Sequence, residues 1–87
     1  MKVENLRSSN GNRVANQFEI MDDHGNKFFQ SYNSVIIKWS KGKVYLDEYY
    51  WAYSRTTGKY RNQLLREGIA ETRKKIESGE YILADLN

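Results

Sequence analysis

The sequence predicts an α+β fold, in which one helix or two short helices pack on one face of a small antiparallel sheet of three or four strands. Two patterns favour it. Residues 14–46 alternate short apolar runs with turn residues, which is typical of a β-meander. Residues 60–76 carry apolar side chains at close to helical spacing. With 87 residues, the chain has room for one domain, residues 1–87, with one modest core.

The strands are expected in the first half of the chain. Residues 1–12 are polar, with only Val3 and Leu6 to bury, and are expected to form a loosely packed leader. Beyond them, apolar side chains alternate or form short runs, and residues 22–26 and 40–43 supply turns. The predicted strands are 14–21, 27–32, 35–39 and 44–46.

The helical part follows an aromatic segment, residues 49–53. Ser54, Thr56 or Thr57 can each cap a helix by accepting a hydrogen bond from its first amides. Gly68 costs about 1 kcal/mol relative to alanine inside a helix, which leaves open whether there is one helix or two. Gly79 is placed to end the helix, and residues 81–84 can add a closing strand.

Composition argues against several classes of function. Without cysteine the chain can form neither a disulfide nor a thiolate metal site, and no apolar stretch approaches the roughly 20 residues that span a membrane. We therefore expect a cytoplasmic protein. His24 is the only histidine, and Asp47 and Glu48, as neighbours on a strand, would point to opposite faces. The sequence predicts no enzyme, no catalytic residue, no metal and no cofactor.

The candidate binding site is the start of the predicted helix, where aromatic, hydroxyl and basic side chains meet. Seven cations stand against three anions between Ser54 and Gly79, which favours an anionic partner, although a solvated mixed-charge helix has the same pattern. Gly58 and Lys59 do not form a phosphate-binding P-loop, because Tyr53 occupies the position of its first glycine. The predicted partner- or anion-binding residues are Tyr53, Arg55, Thr56, Thr57, Lys59, Tyr60, Arg61 and Asn62, with a secondary basic surface at Lys38, Lys41 and Lys43. Whether the aromatic residues 49–53 belong to the core or are exposed is left open.

Three motifs carry a family resemblance. They are GNRVANQF at residues 11–18, FQSYNSVI at residues 29–36, and WAYSRTTGKYRNQLL at residues 51–65. The chain resembles a group of small, uncharacterised proteins of phages and mobile elements. An aspartate is common in that group where this chain has Ala52. The resemblance implies an origin but no established biochemical role.

Four functions remain open, of which the last is a structural or assembly module whose basic helix is only solvated. The first, by analogy with phage accessory proteins, is a non-catalytic binding protein in the host bacterial cytosol that modulates a host protein or nucleic acid, for example an inhibitor of a defence system such as CRISPR-Cas. The second is a nucleic-acid-binding protein that uses the helix start. The third is a homo-oligomer that sequesters a small anionic nucleotide. The isoelectric point of about 9.2 argues against an acidic mimic of DNA.

Overall fold

A computed structural model describes all 87 residues of the chain. It contains six strands and two helices. In chain order they are β1 (Lys2–Arg7), β2 (Arg13–Met21), β3 (Lys27–Ser31), β4 (Ser34–Ser40), β5 (Lys43–Asp47), α1 (Arg55–Leu65), α2 (Ile69–Ser78) and β6 (Tyr81–Ala84). Neither helix is long and apolar enough to cross a membrane.

All six strands form one sheet, in the order β1-β2-β3-β4-β5-β6. The first five form an antiparallel meander, and β6 pairs with β5 in the parallel direction. Parallel neighbours need a long crossover connection, which α1 and α2 supply. The predicted sheet of three or four antiparallel strands is therefore wrong in strand number and in the direction of the last strand, although the fold is α+β.

Strand β1 lies in the segment that was expected to be a loosely packed leader. It pairs with β2 from Lys2, opposite Met21, to Arg7, opposite Arg13. Only Leu6 is buried, at 3% exposure, and the other residues of the strand are exposed or half-buried. Because one buried side chain gives no alternating pattern, the strand is not visible in the sequence. Its backbone pairing, rather than hydrophobic burial, keeps it in the sheet.

The structure has two short helices, which is one of the two alternatives that the sequence left open. The side chain of Ser54 accepts a hydrogen bond of 3.1 Å from the amide of Thr57 and caps α1. Helix α1 ends at Arg66, which has a left-handed backbone, and Gly68 precedes α2. Gly79 ends α2 with φ at 85°, a conformation that glycine adopts without strain.

The two faces of the sheet have different surroundings. Both helices pack on one face, where Phe29, Ile37 and Leu46 are fully buried and meet Tyr60 of α1. An irregular register opposite Phe29 and Gln30 lets the adjacent Ile36 and Ile37 both become buried. No helix covers the opposite face, which we call the open face.

Candidate functional site

The structure places the predicted helix-start residues in two different environments. Thr57, Tyr60 and Arg61 are buried, at 5%, 7% and 2% exposure. The Thr57 hydroxyl lies 3.0 Å from the hydroxyl of Ser31, which joins α1 to β3. Thr57 and Tyr60 hold α1 against the sheet, and the three side chains expose little surface to a macromolecular partner.

Arg61 binds groups of its own chain. Its guanidinium donates hydrogen bonds to the carbonyl of Trp51 and to the side-chain oxygen of Asn62, and it lies over the Trp51 ring at 5.6 Å. Burial lowers the pKa of Arg61 below the usual arginine value, and the nearby carboxylate of Glu67 opposes this shift. Arg61, one of the three cations of the predicted helix-start site, thus fixes the loop before α1.

The other predicted residues of the helix start are accessible. Tyr53, Arg55, Thr56 and Lys59 are exposed, and Asn62 is half-buried. Since Arg61 is buried, the helix start offers two accessible cations, Arg55 and Lys59, rather than three.

The secondary basic surface is not continuous with the helix start. The sheet register puts Lys38 on the same face as its partner Tyr45, which is the open face. Lys43 shares the face of Tyr45 because side chains two apart on a strand point to the same side. Lys41 lies in the β4–β5 turn. Two of these three lysines therefore face away from the helices.

The aromatic segment is divided between core and solvent. Tyr50 and Trp51 are half-buried and pack against the core. Tyr49 and Tyr53 are 66% and 63% exposed, and the Tyr49 ring meets the Tyr50 ring edge to face at 4.6 Å. This settles a question that the sequence left open.

A continuous row of side chains crosses the open face. Each strand contributes one residue to the row, and each of these residues is the cross-strand partner of the next. Phe28, Lys38 and Tyr45 lie at the centre of the row, and aliphatic residues lie at its two ends. Neighbouring strands lie about 4.8 Å apart, so the row extends about 24 Å. In order, it consists of Val3, Ile20, Phe28, Lys38, Tyr45 and Ile82. A second row, Asn5, Phe18 and Gln30, runs beside it.

The apolar members of these rows are separate from the core. Phe18, Ile20, Phe28, Tyr45 and Ile82 are half-buried, and none belongs to the set of side chains that pack against the buried cluster. Their shielding comes from neighbours on the same sheet. Together with Lys38, these apolar side chains form a mixed apolar and basic surface on the side of the sheet that no helix covers.

The open face carries cations at its centre and at its β1 end. The Lys38 ammonium lies 5.9 Å from the Phe28 ring centre and 5.8 Å from that of Tyr45. At the β1 end, Arg7 and Arg13 are direct cross-strand partners and line a surface cleft of about 360 Å³. Neither forms an ion pair. The cleft is also lined by Glu4, whose carboxylate is paired with Lys2 at 3.1 Å.

Of the carboxylates on the strands, Glu4 lines the cleft but is already paired with Lys2, and Glu19 shares the face of its register partner Phe29. Asp47, at the margin, is 2% exposed, and its oxygens accept hydrogen bonds from the amides of Tyr49, Tyr50 and Leu86. These bonds lower its pKa against the opposing effect of burial. Asp47 therefore organises the chain after β5 and the C-terminal residues.

The lysines Lys38 and Lys43 of the open face were predicted from the sequence, but its aromatic rings and its two arginines were not. The predicted site residues did not include Phe18, Phe28, Arg7 or Arg13. A signal was present at Phe28 and Phe29, since adjacent apolar residues on a strand point to opposite faces. If the helices cover only one face of the sheet, the aromatic rings on the other face remain accessible.

The fold and the open face define a small α+β protein with a basic, aromatic candidate binding surface. No group of three or more histidine, cysteine, aspartate or glutamate side chains could hold a metal ion. The chain belongs to a family of unknown function, DUF8033, whose model matches residues 1–81. No curated protein and no solved structure matches it.

Proposed function

We propose that this protein is a non-catalytic binding protein that holds single-stranded nucleic acid on its open face. The observation that carries the proposal is the cross-strand row with Phe28, Lys38 and Tyr45 at its centre. Sheets that present aromatic rings beside cations are a recurring way to bind unpaired bases.

Each part of the open face has a counterpart in a single strand. The rings of Phe18, Phe28 and Tyr45 offer surfaces for stacking, worth about 1–3 kcal/mol per base. Arg7, Arg13, Lys38 and Lys43 can contact phosphates, and the amides of Asn5 and Gln30 can reach base edges. A duplex hides the faces of its bases, so stacking of this kind favours a single strand.

Charge argues against a second copy of the chain as the occupant. If two open faces packed on each other about a two-fold axis near their centres, the two Lys38 ammonium groups would be brought together. The cross-strand row of each copy contains no carboxylate that would compensate them. Burying unpaired charges is unfavourable, whereas a phosphate backbone supplies the opposite charge.

The resemblance to phage and mobile-element proteins gives this activity a setting. In the bacterial cytosol, such a protein would occupy a host nucleic acid or the nucleic-acid component of a host complex. Modulation of a defence system such as CRISPR-Cas is one form that this could take. That part of the proposal rests on analogy.

The test is fluorescence anisotropy of labelled single-stranded DNA, single-stranded RNA and a duplex of the same sequence, titrated over a salt series. The open-face variant is Arg7→Gln/Arg13→Gln/Lys38→Gln. The matched control, Arg55→Gln/Lys59→Gln/Lys74→Gln, removes the same charge from exposed residues of the helices. Arg61 is left unchanged in both because it is buried.

We expect the open-face variant to bind single strands at least tenfold more weakly and the control to bind nearly as well as the wild type. Each phosphate contact contributes about −0.7 to the slope of log K against log salt for single strands, so the slope should become shallower by about 2. A second variant, Phe28→Ala/Tyr45→Ala, should lose affinity without losing salt dependence.

Three outcomes would contradict the proposal. Loss of binding in the control alone would move the site to the helix start. Equal affinity for the duplex would remove the role of stacking, and no binding at low salt would eliminate nucleic acid as the partner.

A further inference from the structure

A second concave site lies on the helix-covered side of the molecule. It is a cleft of about 290 Å³ between the β3–β4 turn, the aromatic segment and the first turn of α1. The rings of Tyr32, Tyr50 and Tyr53 line it, together with Ile36 and hydroxyl side chains. It is separate from the open face, and nothing in the nucleic-acid proposal depends on it.

We propose that this cleft binds one uncharged, planar heterocycle of the nucleobase type. No charged side chain lines it, so an ion would be desolvated there without a counter-charge. Its volume is near the lower limit of about 300 Å³ for ligand pockets, which suits a ring system rather than a chain. Aromatic walls favour a flat ligand through offset or edge-to-face contacts.

The hydroxyl groups divide into those that build the cleft and those that are free. The hydroxyls of Ser31 and Thr57 are hydrogen-bonded to each other at 3.0 Å, and the Ser54 hydroxyl accepts a hydrogen bond from the Thr57 amide. These bonds fix one side of the cleft before any ligand arrives. The phenol groups of the three tyrosines and the hydroxyl of Ser34 make no hydrogen bond within the chain, which leaves them able to donate to ring nitrogens and carbonyls.

Tyr32 lies at the rim of this cleft, in the β3–β4 turn. It is the first of two residues in the turn between Ser31 and Ser34, and its φ is 55°. Glycine and asparagine are the usual residues in this left-handed region. Burial does not compensate for the strain, because the side chain is 55% exposed. A two-residue hairpin turn requires a positive φ at its first position, and Lys41 has a φ of 52° at the same position of the β4–β5 turn. The turn therefore explains the backbone of Tyr32, and its contribution to the cleft is the accessible ring.

The test is a titration of the full chain with adenosine and with uridine, followed by ligand-observed NMR and by tyrosine fluorescence. Ribose and adenosine monophosphate serve as comparison ligands. We expect saturable binding of at least one nucleoside at millimolar concentration and none of ribose. Adenosine monophosphate should bind no more tightly than adenosine.

The informative variant is Tyr32→Asn. It should bind the nucleoside at least tenfold more weakly, while its melting temperature rises by roughly 5 °C because the backbone strain is relieved. The control, Ile69→Asn, removes an exposed apolar side chain at the start of α2, outside both the cleft and the open face, and should leave nucleoside binding unchanged. A raised melting temperature shows that lost binding in Tyr32→Asn does not arise from misfolding.

Several results would overturn the proposal. They are binding of neither nucleoside, equal binding of ribose, binding of adenosine monophosphate without adenosine, and full affinity in Tyr32→Asn. The third result would instead indicate an anion site near Arg55 and Lys59.

Discussion

Replacing Glu67 by glutamine should destabilise the protein, because its carboxylate joins three parts of the fold. Glu67 lies between the helices, and its side chain is 6% exposed. One oxygen accepts from the Lys75 ammonium at 2.7 Å and the Tyr81 hydroxyl at 2.9 Å, and the other accepts from Thr72 at 2.6 Å. The carboxylate thus ties the α1–α2 connection to α2 and to the parallel strand β6.

The expected cost follows from what glutamine can replace. Its carbonyl oxygen can still accept from Lys75 and Tyr81, and Thr72 has an alternative acceptor in the carbonyl of Gly68 at 3.2 Å. What is lost is the negative charge that strengthens these bonds. Hydrogen bonds to charged groups contribute about 1.5–3 kcal/mol and neutral ones about 1 kcal/mol, so Glu67→Gln should cost about 1–2 kcal/mol. For a domain of this size, the melting temperature should fall by roughly 4–16 °C.

The pH dependence of this variant gives a second readout. Burial acts to raise the pKa of Glu67, but the hydrogen bonds from Lys75, Thr72 and Tyr81 lower that pKa below its ordinary value of 4.5. A carboxylate with a lowered pKa stabilises the fold above its unfolded-state pKa and loses that contribution as pH falls through the folded-state value. The advantage of wild type over Glu67→Gln should therefore be full at pH 7 and shrink below about pH 4.5.

Urea unfolding and thermal melts followed by circular dichroism measure both effects. Glu77→Gln is the control, because Glu77 is exposed on α2 and forms no ion pair; it should change stability by less than about 0.5 kcal/mol. Equal stability of the two variants, or a difference that grows in acid, would refute the assigned role of Glu67.

Three further outcomes follow from other buried polar groups. Gln17 is 1% exposed, and neither polar atom of its side-chain amide has a hydrogen-bond partner. Gln17→Met should therefore raise the unfolding free energy, measured in urea, by about 1–2 kcal/mol. A decrease would show that the amide does have hydrogen-bond partners. Arg61→Ala should lower the unfolding free energy by about 2–4 kcal/mol, because the Trp51 carbonyl loses its hydrogen-bond donor and a cavity forms. If the variant is as stable as the wild type but binds nucleic acid more weakly, Arg61 is a contact residue instead. The pKa of Asp47 is held below its ordinary value of 3.8. The melting temperature of Asp47→Asn should therefore fall less than that of the wild type as pH drops below about 4, and identical profiles of melting temperature against pH would contradict this.

The sequence predicts the parts of this fold that depend on local patterns. The hairpins of β2 to β5, the serine cap of α1 and the glycine that ends α2 each have a signal within a few residues. The outer strands have no such signal. Strand β1 buries only Leu6, and the pairing of β6 with β5 joins residues separated by both helices.

The candidate site was predictable only in part for a related reason. Side-chain type placed Arg61 in the binding surface, but burial beneath the loop at Trp51 makes it a structural residue. Conversely, Phe18 and Phe28 appear in sequence as ordinary strand residues. Which face the helices cover is decided by packing in three dimensions, and that choice determines which aromatic rings remain accessible.

The most direct test of the open-face proposal is a map of amide chemical shifts while a single-stranded oligonucleotide is titrated into the labelled protein. The proposal predicts that the largest changes fall on β2 to β5, at Phe18, Phe28, Lys38 and Tyr45, with Arg7 and Arg13 at the margin. Helices α1 and α2 should change little. Changes centred on Arg55 and Lys59 would contradict it and return the binding site to the start of α1.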